Sequence, residues 1–124
     1  MNINKINSPF IRKSVTLLYQ IPRLVNRIKN PTNDYSVFVN SVPKSGTHLL
    51  NQIVNALPTI TNYYTFIASK PTIKFHERTD REILRRIQLI SDKEIVTGHL
   101  FYKEKFFNKL RDRNCLMFFI FRNV

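Results

Sequence analysis

The chain has 124 residues, and 20 Lys and Arg against 8 Asp and Glu leave a formal charge of +12. That length allows one small domain, and a 43% hydrophobic, 12% aromatic composition supports a core and excludes wholesale disorder. No window reaches the roughly 18 to 20 apolar residues of a membrane-spanning helix. One cysteine and three scattered histidines exclude an intramolecular disulfide and a zinc cluster, so no metal is expected and a reducing, cytoplasmic compartment is.

Residues 1–30 hold Lys5, Arg12, Lys13, Arg23, Arg27 and Lys29 and no acid. Ile11, Val15, Leu18, Val25 and Ile28 recur at near-helical spacing, which predicts an N-terminal helix packed on the domain, kinked or divided at Pro22. A basic amphipathic stretch is also the pattern of a helix lying on a membrane surface, and both readings stand. The apolar stretch and cleavage site of a signal peptide are missing. Residues 1–34 therefore read as a basic N-terminal segment and 35–124 as the folded part, with a loop at Asn30-Pro31-Thr32-Asn33-Asp34 between them.

Residues 35–42 are β-branched and aromatic and predict a strand ended by Pro43, which lacks a ladder donor. Leu49, Leu50, Ile53, Val54 and Leu57 form one helical stripe over 47–57, closed by Pro58. Residues 59–76 show no clear period; Tyr63, Tyr64 and Phe66 would fill core or line a pocket. Thr79 and Glu82 fit a capping box, and Ile83, Leu84, Ile87 and Ile90 continue an apolar face. A short strand over 94–97 ends at Gly98-His99, a helix over 103–112 buries Phe106, Phe107 and Leu110, and the apolar run 116–121 predicts a strand buried on both faces. Glu77, Asp80, Glu82, Asp92, Glu94, Glu104 and Asp112 interleave with basic residues in the manner of solvated helix faces.

Strands alternating with helices imply an α/β fold with a parallel sheet flanked by helices. The chain stops three residues after its last strand, where ligand-binding residues of an open sheet collect. The fold is accordingly expected to be incomplete, the N-terminal portion of a larger domain.

The most informative stretch is Pro43-Lys44-Ser45-Gly46-Thr47-His48 between a predicted strand and a predicted helix. Gly46 lets backbone approach an anion, the first amides of the helix point at its oxygens, and Lys44 adds a point charge. Ser45, Thr47 and His48 add side-chain donors. A Walker loop requires an earlier glycine and places Gly before Lys-Ser, whereas here Lys44-Ser45 precede Gly46, which disfavours an ordinary ATPase, GTPase or kinase. The loop resembles the nucleotide-binding signature of the sulfotransferase family, which uses 3′-phosphoadenosine 5′-phosphosulfate (PAPS) on a P-loop NTPase-like α/β fold without a required metal.

The resemblance implies that Lys44, Ser45, Gly46, Thr47 and His48 hold the 5′-phosphosulfate and that Lys44 also stabilises the leaving phosphate. His48 stands where the family often has a second Thr, and Leu49 where it often has Trp. The run ending in Arg122-Asn123 resembles the family strand whose Arg binds the 3′-phosphate, and its Ser partner falls outside the 124 residues. His99 resembles the family base that deprotonates an acceptor hydroxyl, with Thr97 where the family often has Lys. The implied reaction is sulfuryl transfer to the hydroxyl or amine of a small-molecule or glycan acceptor. His76 reads as a solvated histidine and Cys115 as a buried thiol. The alternative is a non-enzymatic basic module that binds anions or a membrane surface through residues 1–30; a nucleic-acid partner is not expected, because no recognition motif accompanies the charge.

Overall fold

The run Ser36-Val37-Phe38-Val39-Asn40-Ser41 forms the strand on which the sheet is built, and every residue of it is buried. A computed structural model describes residues 8–29, 34–42, 45–71 and 76–121. The elements in chain order are α1 (Pro9–Lys29), β1 (Ser36–Ser41), α2 (Thr47–Asn55), β2 (Thr61–Ala68), α3 (Asp80–Gln88), β3 (Glu94–His99), α4 (Glu104–Asp112) and β4 (Cys115–Ile120). The four strands are parallel in the order β2-β3-β1-β4, so the molecule is α/β, as the alternation predicts.

The two faces of β1 seed two cores. Val37 and Val39 meet Ile95 and Val54, with Leu50 and Ile60 alongside, which seats α2 on one face. Phe38 meets Val96, Ile67, Ile83, Ile87, Phe106 and Leu110, which seats α3 and α4 on the other. This alternation on a strand buried on both sides is what a helix-covered parallel sheet requires. The Thr79–Glu82 capping box opens α3: Glu82 N donates to Thr79 Oγ1 at 3.3 Å and Thr79 N to Glu82 Oε2 at 2.9 Å.

Four expectations change. The stretch 59–76 contains β2, whose register slips between Asn62 and Thr65. Tyr64 there takes a left-handed φ of 59°, with its amide donating to Asn62 Oδ1 at 2.8 Å. The irregularity breaks the period-two pattern, burying Tyr63 and leaving Phe66 exposed. The run 116–121 is not buried on both faces: among the described residues β4 is an edge strand paired with β1 alone, and Leu116, Met117, Phe118 and Phe119 are exposed. Cys115, beneath α4, is buried, and Ile120 is half-buried. Pro22 does not divide the N-terminal helix; α1 runs from Pro9 to Lys29, anchored by residues on either side of the proline.

Those anchors expose the fourth change, because Glu94 is not on a solvated face. It is completely buried at the start of β3. Arg23 Nε reaches its carboxylate at 2.9 Å, Ser91 N donates to it at 2.8 Å, and Thr65 Oγ1 donates to it as well. Arg23 also donates to Leu89 O at 2.9 Å, and Gln20 Nε2 to Tyr63 O at 2.9 Å. A carboxylate can sit dry only when paired and hydrogen-bonded in this way. The acid at Asp80 follows the surface expectation instead: Lys103, at 2.7 Å, and then Lys105 hold its carboxyl below the ordinary range.

Removing one partner of a buried ion pair strands the other, so Arg23→Ala is expected to lower unfolding free energy by about 3 to 5 kcal/mol. Urea denaturation checks this, and adding Glu94→Gln to that variant should recover part of the loss. Asp80 should titrate below 3.8 by NMR and return toward it in Lys103→Met. Because its folded value is depressed, its contribution is complete above the ordinary carboxylate range and disappears as pH falls through the lowered value.

Candidate functional site

The register of β1 on β3 pairs Val39 with Thr97 and Asn40 with Gly98, which brings the next residues, Ser41 and His99, together at the carboxyl ends of adjacent strands. From there β1 leads into α2 on one face of the sheet, and β3 leads into α4 on the other. Adjacent parallel strands whose continuations part to opposite faces leave a crevice at their carboxyl ends, where α/β sheets bind ligands.

The loop from β1 into α2 is shaped by Gly46, which caps the helix at a φ of 106°. A side chain would be strained there, and its Cβ would lie 3.3 Å from Ile120 Cδ1. Gly46 O accepts from Leu49 N at 3.0 Å and Leu50 N at 3.2 Å, starting α2 at once. The helix therefore presents its first amides and positive dipole end beyond β1. Ser45 closes the turn: its amide donates to Val42 O at 3.1 Å, and its hydroxyl lies 2.5 Å from Val42 O and 3.1 Å from Ile120 O. The hydroxyl proton of Ser45 is thereby committed to carbonyl oxygens.

Thr47, on the first turn, lies with Oγ1 2.6 Å from Ser41 Oγ. Ser41 in turn meets His99, whose Nδ1 is 3.1 Å from Ser41 Oγ and 2.7 Å from Ser41 O. A carbonyl oxygen only accepts, so Nδ1 carries the proton and Nε2 is the basic nitrogen of the neutral ring. The edge-to-face contact of Phe66, with centroids 5.3 Å apart and planes at 81°, braces the imidazole.

The backbone under His99 is equally fixed. A Cβ on Gly98 would lie 2.6 Å from the Phe38 ring and 2.7 Å from Ile67 O, so only glycine lets β3 pack this closely. Asn40 grips the next residue from both sides, donating to Leu100 O at 3.1 Å and accepting from Leu100 N at 2.9 Å. Ser69 N donates to His99 O at 3.0 Å, and Thr97 Oγ1 donates to Asn51 Oδ1 at 3.1 Å, tying α2 to β3.

Of the residues expected from sequence, Ser45, Gly46, Thr47 and His99 gather at this crevice, and His48 is exposed on the first turn of α2. Lys44 and Arg122 lie outside the described residues. Sequence reading missed Asn40, Ser41 and Ser69, although two polar residues closing the otherwise apolar strand 36–41 are a usable signal for a strand end that meets a ligand. His76 is exposed. Burial pushes the Cys115 thiol up, against the smaller opposing effect of Ser36 Oγ at 3.0 Å, so it is no activated nucleophile. Among the described residues no group of three or more His, Cys, Asp or Glu is placed to hold a metal ion.

Comparison with protein-family models, with curated proteins and with solved structures gives no match to this chain.

Chemically, the crevice pairs a helix start, whose free amides suit an oxyanion, with an imidazole whose Nε2 is free of the Ser41 contact. Long-range proton–nitrogen NMR of the neutral ring should show His99 protonated at Nδ1. An Nε2-protonated tautomer would remove the acceptor nitrogen from the site.

Proposed function

We propose that the chain is a PAPS-dependent sulfotransferase module on a P-loop NTPase-like sheet, moving a sulfuryl group to a hydroxyl or amine of a small-molecule or glycan acceptor in a reducing, cytoplasmic setting. The observation that carries the reading is the hydrogen-bonded chain Thr47–Ser41–His99, which couples the anion loop to a basic imidazole nitrogen. Loop and base belong to one crevice at the strand ends, where donor and acceptor would have to meet.

In this reading the Gly46 turn and the α2 amides hold the phosphosulfate, assisted by Thr47, His48 and Lys44, while Arg122 takes the 3′-phosphate by a charge-assisted bond. The acceptor oxygen attacks sulfur in line as His99 Nε2 takes its proton. The bond from sulfur to the 5′-phosphate oxygen breaks, and Lys44 and the helix start carry the charge that develops on the departing phosphate. With Ser45 tied to Val42 O and Ile120 O, backbone amides do more of the holding than its hydroxyl. The residues described fit a phosphosulfate on two counts: the positive φ at Gly46 and a nine-residue helix opening toward the crevice.

A non-enzymatic anion-binding module is the second reading, favoured by the same helix start, which binds oxyanions with or without a base beside it. The two part on His99.

Calorimetric titration with the desulfated product, adenosine 3′,5′-bisphosphate, should give saturable binding that Lys44→Ala weakens by about 10-fold or more. His99→Ala should leave that binding unchanged while lowering transfer from PAPS by about 100-fold or more. Binding untouched by Lys44→Ala takes the loop out of the donor site, and binding without any transfer across an acceptor panel selects the anion-binding reading.

A further inference from the structure

A helix that packs on a domain ordinarily buries its apolar face and leaves its polar face in water. In α1 the relation is reversed. Its docking contacts are polar: Gln20 donates to Tyr63 O at 2.9 Å, and Arg23 holds the buried Glu94, Leu89 O and, at 3.0 Å, Gln20 Oε1. Among the described side chains Val15 is half-buried, while Phe10 is 79%, Leu17 66%, Leu18 65%, Ile21 58% and Leu24 56% exposed.

These exposed residues form one surface. At roughly 100° per residue, Phe10, Leu17, Ile21 and Leu24 fall within a narrow sector with Leu18 at one border and Gln20 at the other, and Arg23 projects about 100° beyond its edge. Arg23 is the residue that keeps the stripe outward: turning the helix over would take the guanidinium from a carboxylate that is wholly buried.

The occupant of that surface follows from charge. The stripe lies in a 30-residue segment with six basic residues and no acid, on a chain of net charge +12. A second copy would bring the same charge against it, whereas an anionic lipid surface attracts it while accepting the apolar side chains between headgroups. Basic amphipathic helices with this division lie in the plane of an interface, and no helix among the described residues is long and apolar enough to cross one.

We propose that α1 is an interfacial helix that docks the protein on an anionic membrane surface through Phe10, Leu17, Leu18, Ile21 and Leu24, with Arg23–Glu94 fixing the domain to its opposite side. This reading is independent of sulfuryl transfer.

The chain has no tryptophan, so Phe10→Trp gives a fluorescence reporter without background. With vesicles of phosphatidylcholine and about 30% phosphatidylserine, its emission should shift to the blue, and flotation should show at least about 10-fold more bound protein than on phosphatidylcholine alone. About 0.5 M salt should weaken the binding. Leu17→Gln with Ile21→Gln should reduce binding about 10-fold without changing the circular dichroism or melting temperature, since both side chains are exposed. Phe119→Ser, on the exposed edge strand β4, should bind like the parent chain.

Absence of a blue shift, equal binding to neutral vesicles, or full binding by the double variant would overturn the proposal. So would loss of binding in Phe119→Ser alone, or a dimer that the double variant dissociates, which would make a second copy the occupant.

Discussion

The close parallel pairing of β1 with β3 is the constraint on which the site depends. At Gly98 no Cβ fits between the Phe38 ring of β1 and the Ile67 carbonyl of β2. That contact belongs to the core, since Phe38 anchors the cluster beneath α3 and α4. Yet it also sets the height of the next residue: with Asn40 opposite Gly98, His99 comes level with Ser41, and imidazole, hydroxyl and carbonyl meet. A histidine on a loose loop would need an ordering cost at each encounter; this one is placed by a sheet that is already packed.

Strand β3 carries polar duty at both ends and apolar duty between them. At its start Glu94 is buried and paired with Arg23; at its end His99 is half-buried and paired with Ser41. Ile95 and Val96 between them supply one residue to each core. Glu94 joins α1 to the sheet, and the ion pair does so at a desolvation cost that an apolar contact would not carry. What the pair supplies in return is orientation, because a guanidinium meeting a buried carboxylate fixes which side of the helix faces the domain.

The parts legible in the sequence are those whose pattern and environment agree. Strand β1, the Gly46 turn, α2 and the Thr79–Glu82 capping box each follow from local residue types, and the structure has them where those residues lie. Strand β2 was obscured because the Asn62–Tyr64 irregularity interrupts alternation, a feature with no composition signature. The exposure of β4 was illegible for another reason: six apolar residues in a row signal a strand suited to burial, but only its place at the sheet edge determines how much is covered. Glu94 was hidden among basic neighbours in sequence, while the partner that keeps it buried lies 71 residues away. In the site, His99 was singled out by its resemblance to the family base together with its position after a strand, and Ser41 was not, because the role of a short hydroxyl depends on a neighbour brought by register.

The turn from β1 into α2 shows how one end of the sheet governs the other side of the crevice. Ile120 closes β4 and supports the loop three times: its carbonyl accepts from Val42 N at 3.3 Å and from Ser45 Oγ at 3.1 Å, and its side chain fills the space a Cβ on Gly46 would need. The edge strand thus supports the backbone that starts α2, even though most of its own surface is exposed. Ser45 spends its hydroxyl on this support, and the direction of the first α2 amides is set by the Gly46 turn. Thr47 then links that turn to Ser41 and His99. The start of α2 and the imidazole on β3 are therefore parts of one hydrogen-bonded structure, and a shift of β4 against β1 would reach both.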